Sequence, residues 1–368
     1  MSLASVLAAC RSEIASLAKS IIRILFWVVL ILVVFVLLPQ AWMALVPQQA
    51  REFFGLQTSV AFGLVAMSLA AIWALAKNRT PDRKTWIGTF AGIAAAGIAA
   101  VVWLPQWSGY IVASALVLFV VAPIMLFVRA QRQQAAGYPQ AAAFYARPAL
   151  VLHPSRRMRL EASFLAAQTL ASIEEKIAAY RALLSDATPE QSVSLNSWIA
   201  MDQDDWESML AQSRNAGGKP SALKSHEIRA LGELGRVDEM IATYASGESV
   251  LSRDGLLVCR LFVLAFGGRT EAVRSLLRSQ FRSLCPRNKA FWIFIAGRAA
   301  GTDDEEARRV LMSYARAADD EAFRRRVQRH LNAALSPGGA ALSVESRATI
   351  AAIEETLRKT KRRSAPTR

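Results

Sequence analysis

Along the chain, apolar residues come first in unbroken runs and then at helical spacing. Residues 24–38 are continuously bulky and apolar, and the run stays mostly apolar to position 46. Residues 58–76, 86–104 and 109–128 follow, none containing an Asp, Glu, Lys, Arg or His. About 20 helical residues at 1.5 Å rise each cross a hydrocarbon layer roughly 30 Å thick. The pattern therefore predicts four membrane spans, at about 21–46, 58–76, 86–104 and 109–128, within a transmembrane domain over 1–129. A polar lead of about 20 residues, with no small-residue cleavage site near Gln48, marks the first as an uncleaved span rather than a signal peptide.

Loop charges set the expected topology. Arg11, Lys19 and Arg23 precede or open span one, and Lys77, Arg79, Arg83 and Lys84 separate spans two and three. The other two loops carry, as basic residues, only Arg51, beside Glu52. The positive-inside rule then places both termini in the cytoplasm of a bacterial-type inner membrane. Span three adds a small-residue stripe, Gly88, Gly92, Ala96 and Ala100, that suits close helix packing, against another span of the chain or a second copy. Ion or proton transport is disfavoured, because such pathways place ionisable groups within the bilayer.

Residues 130–154, broken by Gly137, Pro139, Pro148 and Pro154, read as a linker. Beyond it the apolar positions take the period of amphipathic helices, with almost no strand signal. Three turns stand out. Leu234-Gly235-Arg236, Gly267-Gly268-Arg269 and Ala300-Gly301-Thr302 each join an apolar helix to one led by acidic residues. Their glycines are 33 residues apart, twice. Glycine accepts the positive φ that such a reversal demands, and acids suit the N-terminal turn that follows. One step back falls at Asp202, another at Thr169, and the step forward near Ala334. The region 155–357 is therefore expected to stack helical hairpins into an α-solenoid, and the whole chain to be all-α.

The segment 230–244, ALGELGRVDEMIATY, resembles the junction between the two helices of the tetratricopeptide repeat. That resemblance implies a cytoplasmic scaffold or adaptor that binds a protein or peptide partner. The 33-residue step keeps ankyrin as an alternative, and residues 268–277 look like an ankyrin second helix, though no Thr-Pro-Leu-His opening precedes them. Residues 260–269 and 230–244, following membrane spans, are also similar to the non-catalytic region of bacterial rhomboid-family membrane proteins. Such a kinship implies an intramembrane serine protease whose catalytic part is missing, since this sequence has no Gly-x-Ser-Gly and no span histidine. A third alternative is an envelope-assembly factor with its repeats outside the cytoplasm.

Candidate chemistry adds little. His153, His226 and His330 are scattered, and Cys10, Cys259 and Cys285 form no Cys-x-x-Cys pair. Cytoplasmic thiols are expected reduced. Gly217-Gly218-Lys219-Pro220 lacks the spacing of a phosphate loop, and Asp202, Asp204 and Asp205 read as helix-start residues. No metal site, cofactor or catalytic constellation is expected.

Charge changes the picture more. The chain carries 44 basic and 29 acidic residues, a formal +15, although 53% of it is hydrophobic. Arg129, Arg132, Arg156, Arg157 and Arg159 follow the last span. The tail 358–368 holds Arg358, Lys359, Lys361, Arg362, Arg363 and Arg368 with no acid. Such clusters suit contact with anionic lipid headgroups; without a base-reading motif, nucleic acid is not expected as a partner. Membrane lipids, an unidentified protein or peptide and a second copy of the chain are the expected partners.

Overall fold

The structure is a computed structural model, described here for residues 55–78, 82–215, 220–302, 304–317, 320–333 and 342–364. Every regular element among them is helical. The expected first span, 21–46, lies outside the described residues. The chain divides into two compact units. One comprises the described residues up to Ala130 with Ala143–Ala162; the other comprises Gln131–Ala142 and the residues from Ser163 onward.

In the first unit, α1 (Leu56–Lys77) and α2 (Arg83–Trp103) lead through a 3-10 turn at Pro105–Trp107 into α3 (Ser108–Leu116). A π turn at Val117–Val121 joins α3 to α4 (Ala122–Ala135), so that Pro105–Ala135 is one long helical span. Three helical stretches, Gln57–Lys77, Arg83–Trp103 and Pro105–Ala135, are thus long and apolar enough to cross a membrane. The π turn sits just before Pro123. Proline lacks an N–H and crowds the carbonyl four residues earlier, and a widened turn relieves that crowding.

Helices α1, α2 and α3 pack on one another around Ala61, Ile93, Val101 and Val112. Gly97 allows the approach, since a Cβ there would press on both Val65 and Val112. Large apolar residues such as Trp73, Val102 and Trp103 face outward instead. In a water-soluble protein so much exposed apolar surface would be a liability; in lipid it is the expected exterior.

The stretch 130–154, expected to be a linker, is largely helical. Helix α4 continues to Ala135, and α5 (Pro139–Leu152) begins at the proline read as a breaker. Proline at a first helical position loses no hydrogen bond, which explains the difference. Only residues 136–138, with Gly137 at φ +86°, and 153–154 are non-helical in this stretch. Helix α6 (Arg156–Ala167) follows, with Ser155 supplying a hydroxyl to the Met158 N–H at 3.1 Å.

The second unit continues through α7 (Ile173–Leu184), α8 (Pro189–Asp202), α9 (Trp206–Asn215), α10 (Pro220–Glu233) and α11 (Val237–Gly247). Then come α12 (Arg253–Phe266), α13 (Thr270–Ser279), α14 (Pro286–Ala299), α15 (Glu305–Ala317), α16 (Glu321–Asn332) and α17 (Val344–Ser364). From α7 onward, neighbours in sequence pack in space, except that α16 and α17 are not among the principal pairs. The odd exceptions are informative: α10 also packs on α12, α12 on α14, and α17 returns against α11 and α12. The core they share includes Met209, Ile228, Leu231, Ile241, Leu261, Leu264, Phe294 and Ile350.

Gly235, Gly268 and Gly301 take φ of +75°, +72° and +73°. In each turn the following N–H reaches a carbonyl five residues back: Arg236 to Leu231, Arg269 to Leu264 and Thr302 to Gly297. This 6→1 closure satisfies carbonyls left bare at a helix end. The same geometry ends α8 without a glycine. Asp204 has φ +59°, and the Asp205 N–H donates to Ala200 at 2.8 Å. Only Asp205 among the three aspartates caps a helix start, accepting from the Ser208 N–H; Asp202 is the last residue of α8 and is buried.

Candidate functional site

Helix α10 carries an arginine and a glutamate one turn apart, Arg229 and Glu233, among the buried residues Ile228, Ala230 and Leu231. Both are buried, with the Glu233 side chain fully so. Burying a charge is costly unless it is paired and hydrogen-bonded. Here Arg229 donates to Glu233, and its guanidinium also lies against rings contributed by α9, α12 and α14. Trp292 is nearest, 4.3 Å from guanidinium carbon to centroid, with Phe262 at 5.3 Å and Trp206 at 5.6 Å. Ring faces attract such a cation.

Helix α16 supplies the other half. Arg329 donates to Glu233, and His330 Nε2 is 2.8 Å from Glu233 Oε2. Burial alone raises the Glu233 carboxyl, but Arg229, His330 and Arg329 outweigh it and hold the group well below its ordinary value. Burial draws Arg229 down to about 10, against the opposing pull of Glu233. Arg329 also lies 3.5 Å from Asp204, the aspartate of the left-handed turn.

Farther up α16, Asp320 caps the helix by accepting from the Phe323 N–H, and it is shared by Lys176 at 2.7 Å and Arg287 at 3.3 Å. Lys176 is only 4% exposed. Burial pushes the Asp320 carboxyl up, yet Lys176 and Arg287 leave it lowered overall. Glu321 accepts from the Ile173 N–H, and Arg326 donates to the Met201 carbonyl while lying 3.8 Å from Asp202. Helix α16 is thus tied at both ends and its middle to α7, α8, α10 and α14.

Beside this helix lies a cavity of about 200 Å³. Lys176, Arg229, Arg287 and Arg326 line it as cations, Asp202 and Asp320 as carboxylates. Tyr180, Trp198, Phe262, Phe291 and Trp292 supply much of the apolar wall. A concave, mostly apolar pocket with a few convergent polar groups is the general form of a small-ligand site.

The residues singled out from sequence are placed as follows. The turn glycines Gly235, Gly268 and Gly301 lie at the α10–α11, α12–α13 and α14–α15 junctions. On α2, Gly88, Gly92 and Ala96 are exposed among the described residues and Ala100 is buried; the packed residues are Ile93, Ala94, Gly97, Ala100 and Val101. Arg129 and Arg132 are exposed on α4, Arg129 lying over the Tyr145 ring at 4.8 Å. Arg156 and Arg159 are exposed on α6, and the Arg157 N–H donates to Asp82. Arg358 and Lys359 are exposed on α17, whose helix continues through Lys361, Arg362 and Arg363 to Ser364.

The histidines and thiols also have separate settings. His153 stacks on Trp86 at 3.7 Å between centroids, His226 is buried within α10, and His330 joins Glu233. Cys259 and Cys285 are buried free thiols, and burial pushes the Cys259 thiol up.

Sequence reasoning missed the Arg229–Glu233 pair and every tie made by α16. One signal was present: Arg229 and Glu233, two opposite charges four residues apart among Ile228, Ala230 and Leu231. No protein-family model, curated protein or solved structure matches the chain.

Proposed function

We propose that the chain is a four-span protein of a bacterial inner membrane, with both termini in the cytoplasm, that displays a tetratricopeptide-like solenoid as a scaffold for protein–protein interaction. The observation that carries this reading is the repeated hairpin turn at Gly235, Gly268 and Gly301, spaced 33 residues apart, in a chain that also has three membrane-length apolar helices. Repeats of this kind offer extended surfaces rather than reactive centres.

Because α16 already covers part of α7, α8, α10 and α14, the surface left for a partner is on α11, α13 and α15, where Ala245, Glu271 and Arg309 are exposed. Photocrosslinking residues at these three positions in the membrane-embedded full chain test the reading. A discrete adduct common to the three, either heterologous or a dimer of the chain, is expected. Failure to crosslink from all three sinks the scaffold.

A second reading rests on the two segments 230–244 and 260–269, which form adjoining, well-buried helix junctions in the core. In it the chain is the non-catalytic region of a rhomboid-family protease. Coding sequence following Arg368 that encodes further spans with Gly-x-Ser-Gly supports it, and a stop codon there removes it.

A further inference from the structure

We propose that the cavity beside α16 is a binding site for a small organic anion: one carboxylate or phosphate-ester group on an aromatic or aliphatic body of about ten heavy atoms. The size follows from the volume. A cavity of roughly 150 Å³ accepts benzene, and this one measures about 200 Å³.

The charge follows from the wall. Four cations face two carboxylates. With the adjoining acids Glu233 and Asp204 set against Arg329, one positive charge remains. Burial raises the Asp202 carboxyl, against the pull of Arg326 and Lys176.

Hydrogen bonding points the same way. Among side chains lining the cavity, the buried polar atoms without a partner are Gln168 Nε2, Trp198 Nε1, Arg229 Nε and Arg326 Nε. All four are donors, and no lining acceptor is left over. Arg229 is itself more than nine-tenths buried. Unmatched buried donors are rare in folded proteins and mark places where an acceptor belongs. A ligand oxygen near Lys176, Arg287 and Arg326 would meet charge-assisted donors, while its apolar body meets Phe262, Phe291 and Trp292. The anion site stands whether or not the repeats also hold a protein partner.

Equilibrium dialysis of the full chain in detergent, with radiolabelled benzoate, phenyl phosphate and the neutral isostere benzyl alcohol, tests the inference. At least one of the two anions should bind one per chain with Kd below about 1 mM, and benzyl alcohol at least tenfold more weakly. Benzoate preference identifies a carboxylate ligand, phenyl phosphate preference a phosphate ester. Arg326→Gln and Arg287→Gln should each weaken anion binding about tenfold. Asp202→Asn, which removes a competing carboxylate, should tighten it severalfold, an effect that mere loss of folding cannot produce. Equal binding of the alcohol, no binding of either anion at 10 mM (about tenfold above that limit), or weakening by Asp202→Asn overturns the proposal.

Discussion

The Arg229 guanidinium carbon sits 4.3 Å from the centroid of Trp292 while its Nη2 donates to Glu233. The cation is held by a ring on one helix and a carboxylate on its own. Removing the carboxylate alone leaves that cation buried without its nearest counter-charge. Glu233→Leu should therefore cost about 3–5 kcal/mol, read as a fall in the unfolding midpoint in denaturant. Adding Arg229→Met should recover much of the loss, because replacing a buried pair by apolar side chains is often neutral or better. A double variant no more stable than Glu233→Leu would show that Arg229 is held chiefly by its rings.

The turn glycines separate conformational strain from collision. A Cβ at Gly235 meets nothing within 4 Å, whereas one at Gly268 would lie 2.9 Å from the Ala300 nitrogen. Gly235→Ala should cost about 1–2 kcal/mol from the left-handed backbone alone. Gly268→Ala should cost more, and thermal unfolding of the two variants checks the order.

In the apolar unit, Gly97 and Gly92 lie on different faces of α2. Gly97→Leu drives a side chain into Val65 and Val112 and should disrupt the packing by about 1–3 kcal/mol. A Cβ at Gly92 meets nothing within 4 Å, so Gly92→Leu points away from the described helices. Its midpoint in detergent should match that of the parent chain. A large fall would show that Gly92 packs against the first span or a second copy.

Acid should loosen α16. The Glu233 and Asp320 carboxyls are both lowered in the folded protein, so each contributes stability that is complete above the ordinary carboxylate range, near pH 4.5. That stability is lost as pH falls through their lowered values. Asp202 is raised and has the opposite sign, its cost easing as it protonates. Hydrogen exchange at residues 321–332 between pH 7 and pH 3 should show opening of α16 at the acid end. Asp320→Asn should shallow that dependence while lowering protection at neutral pH.

Some of this structure was written locally and some was not. Gly235, Gly268 and Gly301 were legible because a positive φ after an apolar helix calls for glycine over almost any other residue. Asp204 adopts the same conformation, yet aspartate is equally common as a cap or a turn residue, so the equivalent junction was placed two residues early at Asp202. The stretch 130–154 misled because Pro139 serves as a helix start and Pro148 lies within α5. The candidate site was the least legible part. Lys176 and Asp320 are 144 residues apart, and Arg329 and Glu233 are 96 apart, so no local period could pair them.

That separation has a consequence during synthesis. At about 5–20 residues per second, a ribosome takes roughly 7–30 s to travel from Lys176 to Asp320. Through that interval Lys176, Asp202 and Glu233 have emerged or are emerging without the partners that α16 will bring. The nascent domain must therefore wait, half-assembled, with polar groups still wet. A chain that stops before residue 320 should remain a target for chaperones and proteases even though all its earlier helices are complete.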